Sequence, residues 1–161
     1  MAEKKDDGEK LIASNAHVRS NYFIEEILEA GMVLTGTEVK SMRTQSPNLR
    51  DSFVEIRTTP RLEAWLLNCH IAPYSHGNIW NHETVRKRKL LLHQQQLAHL
   101  HVAVTQKGQV IIPTRMYFKK GLAKIELGVG KGKKKHDKRD DLKKKSAERE
   151  MDQARKHSRD T

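Results

Sequence analysis

Val110-Ile111-Ile112-Pro113-Thr114-Arg115-Met116-Tyr117-Phe118-Lys119-Lys120-Gly121-Leu122-Ala123-Lys124-Ile125-Glu126-Leu127-Gly128-Val129 is the stretch whose reading decides the fold. Its first part is one long strand region rich in branched and aromatic residues, broken by Pro113. Lys119-Lys120-Gly121 reads as a turn. From Leu122 onward apolar and polar residues alternate, the mark of a return strand with one face buried. The core of the chain is therefore expected to be an antiparallel sheet.

Upstream, a helix fits His93 to Lys107, with Leu97, Leu100 and Val104 at i, i+3 and i+7 on one face and Gly108 as its stop. Before it, Val85 to His93 sets Arg86-Lys87-Arg88-Lys89 against three leucines. Asp51–Thr58 and Leu62–Asn68 read as a hairpin joined through Thr59-Pro60-Arg61, and Pro73 ends the ladder beyond it. Ser75–Thr84 is a polar loop. A short helix is expected around Leu34–Arg43, where Thr35 and Glu38 have capping-box spacing. Val39 and Met42 would face inward there, and Lys40 and Arg43 outward. Tyr22–Leu28 reads as a strand ended by a Glu29-Ala30-Gly31 turn, whereas Leu11–Ser20 shows no clear period. The sum is five or six short strands with two or three helices, a mostly β, small antiparallel barrel for which an OB-like closure fits.

Charge divides the chain differently. Residues 131–161 hold 13 Lys/Arg against 7 Asp/Glu, a net of +6 out of +11 for all 161 residues. Gly128, Gly130 and Gly132 mark the boundary, giving a charged leader at 1–10, a body at 11–130 and a basic tail at 131–161. The tail has Leu142, Met151 and two alanines as its apolar content, too little for a core. Asp140–Lys144 and Asp141–Lys145 are i,i+4 pairs worth a few tenths of a kcal/mol each. The tail is expected to be disordered or frayed when free and helical when a polyanion neutralises it. The excess of base points to nucleic acid first and an anionic membrane surface second.

Other classes find little support. The single cysteine, Cys69, permits no intramolecular disulfide and no Cys-rich metal site. No apolar run spans a bilayer, and residues 1–10 lack the apolar centre of a signal peptide, so a cytosolic protein is expected. His93, His99 and His101 do not bring three ligands to one helix face, and no spacing selects a histidine pair for acid–base catalysis. Gly128 to Lys133 lacks the spacing and the Ser/Thr of a phosphate loop. The eight aromatics read mostly as core, which favours folded RNA met through shape and phosphates over single strands met by stacking. Arg86, Lys87, Arg88 and Lys89 would be the electrostatic footprint, or else a solvated loop beside Leu90–Leu92.

Three motifs in register identify a family resemblance. Gly36-Thr37-Glu38-Val39-Lys40-Ser41, Arg86-Lys87-Arg88-Lys89-Leu90-Leu91-Leu92-His93 and Gly132-Lys133-Lys134-Lys135-His136-Asp137-Lys138-Arg139 resemble the signatures of SmpB, the bacterial family that binds transfer-messenger RNA (tmRNA) in trans-translation. The match runs from about Asn15 to Arg155. The resemblance implies an OB-type barrel that binds the tRNA-like domain of tmRNA, and a tail that enters the decoding centre and mRNA channel of a stalled ribosome. It implies a cytoplasmic monomer with no cofactor, no metal, no membrane partner and no covalent catalysis.

Carried over by motif, the RNA-facing positions are Asn15, Arg19, Glu29, Leu91 and Lys124, beside the basic Arg86, Arg88 and Lys89. Leu91 reads equally as core or as an RNA contact. Lys131, Gly132, Lys133, Lys134, His136, Asp137, Lys138 and Arg139 match the ribosome-facing tail. Ala16 and His17 stand where the family has a further basic residue, and Glu83-Thr84 where it often has proline. The runner-up is a general structured-RNA-binding or ribosomal protein, and an RNA-processing enzyme would be the third class.

Overall fold

The β6–β7 hairpin is the centre of the molecule, and its turn explains its register. In the computed structural model, which describes residues 8–157, β6 (Val110–Lys119) and β7 (Leu122–Gly132) meet with Lys119 opposite Leu122. The two residues between them, Lys120 and Gly121, both have positive φ, at 51° and 77°. That backbone matches the right-handed twist of the flanking strands. Pro113 does not break β6. The pairing shifts register between Pro113 and Arg115 and then resumes, so the missing N–H falls at an irregularity.

β1 (Glu9–Ser14) adds to the far side of β6, and β2 (Tyr22–Met32) pairs along nearly all of β7. The seven strands run β1-β6-β7-β2-β5-β4-β3, every neighbour antiparallel, with β3 at Phe53–Arg57, β4 at Glu63–Leu67 and β5 at Arg88–Leu91. β3 then packs back against β6 and curls the sheet around Ala64, Leu66, Ile71, Ile111, Met116, Ile125 and Leu127. α2 (Gly36–Thr44) contributes Met42 to this interior, and α3 (Gln94–Thr105) contributes Leu97, Leu100 and Ala103. The result is a small, mostly β, OB-like barrel with accessory helices.

Several sequence expectations need correction. The strand from Tyr22 does not turn at Glu29-Ala30-Gly31; these residues pair with Glu126, Ile125 and Lys124, and β2 continues to Met32. Gly31 suits the crossing of Leu91, whose Cβ lies 3.3 Å from where a Cβ would stand, so any side chain there would have to push Leu91 aside by a few tenths of an ångström. Gly128 and Gly130 lie inside β7. A Cβ at Gly130 would run into the Phe23 carbonyl, so glycine there admits close strand approach.

On α3 the third inward residue is Ala103, and Val104 is exposed. The charged leader overlaps β1, which starts at Glu9 because Glu9 pairs with Lys119 and its carboxylate meets Arg115 at 3.2 Å. Residues 1–7 of that leader lie outside the described residues. β1, the short α1 (Val18–Asn21) and α4 (Lys135–His157) raise the count to seven strands and four helices. The tail expected to be disordered or frayed is helical over α4, although it buries no residue. Tertiary contacts at its first turns, described below, hold it.

Candidate nucleic-acid interface

One cross-strand row defines the outer face of the barrel. Leu11 of β1 lies opposite Tyr117 of β6, Tyr117 opposite Lys124 of β7, Lys124 opposite Gly31 of β2, and Gly31 opposite Leu91 of β5. Residues directly opposite in antiparallel pairs project from the same face. Leu91 is 54% exposed, so that face is the outside and Leu91 is not core. Gly31 forms a saddle between Leu91 and Lys124. Lys124, half-buried, makes no ion pair among the described residues.

Two residues along, Glu29, Glu126, Arg115 and Ser14 form the next row. The Tyr117 hydroxyl donates to the Glu29 carboxylate, and Lys119 Nζ lies 3.8 Å from it. The hydrogen bond from Tyr117 is the main reason why the Glu29 carboxyl lies below its ordinary value; burial opposes this, and Lys119 and Lys124 assist it. Burial, and then Glu29 itself, push the Tyr117 hydroxyl up, so it stays a donor. Arg115 stacks over the Tyr117 ring at 4.6 Å and pairs with Glu126 at 2.8 Å and Glu9 at 3.2 Å. The outer face is thus a rigid polar network with an unpaired lysine and two exposed leucines, Leu11 and Leu91, at its edges.

The basic run behaves differently from the expected footprint. β5 lies between β2 and β4, so its side chains alternate: Arg88 and Leu90 point in, Lys89 and Leu91 out. Arg88 is 0% exposed. Its Nε donates to Glu38 at 2.8 Å, and its two terminal nitrogens donate to the carbonyls of Cys69, Arg86 and Thr84. Arg86 donates twice to the same carboxylate, both at 2.8 Å. Burial alone would raise the Glu38 carboxyl, yet the Arg86 and Thr35 donors and Arg88 together hold it below its ordinary value.

Arg88 is therefore removed from the surface footprint: it is a buried brace between α2 and β5. Lys89 is half-committed, 2.8 Å from Glu63. Lys87 is exposed. The signal for this arrangement lay in strand parity: if Leu90 faces the core, Arg88 must do so too.

Asn15 is also corrected. It is buried, and its Nδ2 donates to the carbonyls of Leu49 and Pro113 at 3.0 and 3.2 Å, while its backbone N–H donates to Thr114. It clamps the end of β1 onto β6 and the segment before β3. Arg19, on α1, is exposed.

The tail motif separates into two functions. Gly132 pairs with Tyr22, the first residue of β2. Lys133 is turned inward: its N–H donates to Asn21, its ammonium donates to the Arg19 carbonyl at 2.9 Å and to Asp141, and it lies 4.8 Å from the Phe23 ring centroid. Asp137 accepts from the Lys134 N–H at 3.0 Å and caps the start of α4. The Asp141 used by Lys133 is thereby diverted from the expected pairing with Lys145. Gly132, Lys133 and Asp137 build a strand-to-helix joint. Lys131, Lys134, Arg139 and His136 are exposed, His136 at 84% of its side chain. Lys138 lines a groove between α1 and α4 with Arg19, Lys144 and Lys145.

Among the described residues no three His, Cys, Asp or Glu side chains are grouped to hold a metal ion, and no helix is long and apolar enough to cross a membrane. An OB-like barrel with a rigid outer face and a basic helix fixed at one end of its longest strands belongs to the nucleic-acid-binding barrels.

Within that class the particular family is clear. The family profile described as SmpB protein matches residues 12–157, and the chain belongs to the SmpB family. It is 53% identical over 147 residues to the SsrA-binding protein of Pelobacter propionicus, covering 91% of this chain and 95% of that one. It is 48% identical over 154 residues to the SsrA-binding protein of Desulfitobacterium hafniense, covering 96% and 95%. A solved structure described as "tmRNA-SmpB: a journey to the center of the bacterial ribosome" matches with 41% identity and a TM-score of 0.64, over 78% of this chain and 87% of that one.

Proposed function

We propose that this chain binds the tRNA-like domain of tmRNA and delivers it to stalled ribosomes in the bacterial cytoplasm, where trans-translation resumes on the tmRNA reading frame. It acts as a monomer, needs no cofactor and catalyses no covalent step. The body, residues 11–130, holds the RNA, and the tail, residues 131–161, occupies the empty decoding centre and mRNA channel. The observation that carries this reading is the division of the tail motif into a joint packed onto the barrel and a more exposed set of donors. A generic basic extension has no need of a lysine buried against an aromatic ring at its root.

On the body, Lys124 meets phosphate. Leu91 offers apolar contact across the Gly31 saddle. Glu29 presents its remaining lone pairs to a ribose hydroxyl or a base amine. Arg19 and Lys89 add charge at the margins, Arg86 contributes its half-exposed edge, and Asn15 and Arg88 act from within by fixing the strands. On the tail, Lys131, Lys134, His136, Lys138 and Arg139 face ribosomal RNA, with the His136 ring, held 3.3 Å from Asp140 through Nδ1, stacking or donating from its exposed side. Gly132, Lys133 and Asp137 aim them.

The direct test is to recover the protein from its native cytosol at moderate salt and sequence the RNA bound to it. The expected result is one dominant tmRNA species with ribosomal RNA alongside. A broad mixture of ribosomal RNA or tRNA without tmRNA would overturn the reading in favour of a general RNA-binding protein.

A further inference from the structure

Among the described residues, the two most exposed large apolar side chains are neighbours. Ile79 and Trp80 are 86% and 81% exposed, on a 3-10 turn at Asn78–Trp80. Both side chains stand largely in water, and the loop that carries them is not loose. The Asn81 side chain bonds both to the Tyr74 N–H and to the Tyr74 carbonyl, at 2.9 and 2.7 Å. His82 bridges the Ile71 carbonyl at 3.0 Å and the Thr37 hydroxyl at 2.9 Å. Ser41 donates to the Ala72 carbonyl at 2.6 Å. The loop is therefore fastened to α2 and presents its apolar tip on a fixed base.

We propose that Trp80, backed by Ile79, is a stacking platform for an unpaired base of the tRNA-like domain of tmRNA, an extension of the RNA contact beyond the outer sheet face. This inference rests on the function proposed above and adds a contact that reading does not contain. Charge is the first argument. Lys40 of α2 lies 5.7 Å from the Tyr74 ring centroid, and His76 stands edge-on to that ring at 5.4 Å. Lys40 thus sets a cation at the Tyr74 root of the loop whose tip is Trp80, and an aromatic tip with a cation at its root fits a base with its phosphate; a purely apolar protein groove would not call for the cation.

Continuity is the second argument. The outer face runs on from the Gly31–Leu91 pair to exposed Val33, whose N–H bonds to the Lys89 carbonyl, and from there the chain enters α2, the base of the platform. Position is the third. α2 follows the last residue of β2, whereas the tail joint pairs with its first, Tyr22. Ten strand steps of about 3.3 Å separate these two ends of β2 by about 33 Å along the strand. A platform at that end meets the RNA held by the body, not the RNA met by the tail.

The test uses the full chain with Trp80→Ala and Trp80→Phe, titrated with transcribed tRNA-like domain of tmRNA. Both variants keep the wild-type thermal midpoint, because Trp80 is 81% exposed and outside the core. Trp80→Ala weakens binding by about fivefold to a hundredfold with an unchanged salt slope, since stacking releases no counterions, and Trp80→Phe recovers most of the loss. Equal affinity of Trp80→Ala and wild type overturns the platform while leaving the proposed function standing. A loss seen only against ribosomes also overturns it, because it assigns Trp80 to a ribosomal partner. If the unaltered protein fails to bind this RNA, the proposed function falls and takes the platform with it.

Discussion

Glu38 is the residue on which the basic run depends. Its carboxylate is wholly buried and receives two guanidiniums, from Arg86 and Arg88, besides the Thr35 N–H of its own helix cap. Removing one member of a buried ion network leaves the others uncompensated, so Glu38→Ala should cost about 3–5 kcal/mol in urea unfolding. The same carboxylate sets an acid limit. Its folded pKa is lowered from the ordinary 4.5, so its contribution is full above that value and is lost as pH falls through the lower folded value. The urea midpoint of the wild type should fall with acid in that window more steeply than that of Glu38→Gln; parallel curves would show that Glu38 is not the group responsible. Lys124 is of the opposite kind: it makes no ion pair within the fold among the described residues, and the proposed function gives its charge to a phosphate. Lys124→Ala should weaken tmRNA binding and reduce its salt slope by about one unit. An unchanged slope would remove Lys124 from the phosphate contacts.

The elements differ in how far they could be read from sequence. The α2 cap, the β3–β4 hairpin and the end of α3 at Gly108, where φ is +63°, carry local signals, and each stands where those signals put it. β1 does not announce itself, because it is a strand only through β6, about a hundred residues later. The extension of β2 through Gly31 is hidden for the same reason: a glycine that reads as a turn is needed as a saddle. The site shows the same split. The tail motif was visible as a string of residues, but the inward turn of Lys133 depends on Arg19 and Phe23, far earlier in the chain. Strand parity hid Arg88 until its neighbours were known. For α4 the decisive element is its cap. Asp137→Ala should remove about 0.3–1 kcal/mol from the first turn and lower the helical signal in circular dichroism, with the unfolding midpoint of the barrel unmoved. Undiminished helicity would mean that the Lys133 contacts alone hold the helix.

At the scale of the whole molecule, the long β2–β7 pair carries the architecture. Its Met32 end leads to α2 and the Leu91 saddle, and its Tyr22 end leads to the joint and α4. The proposed function puts most of its RNA contacts towards the first end and ribosome engagement at the second, so the two activities should separate on dissection. Because β7 runs to Gly132 and Lys133 closes the joint, the informative cut lies just after Lys133. The measurement that bears most directly on the account compares this truncated chain with the full one, for affinity to tmRNA and for peptide tagging on stalled ribosomes. The account predicts tmRNA affinity close to that of the full chain and no tagging. Loss of both together, or tagging that survives the cut, would contradict the division of labour between barrel and tail.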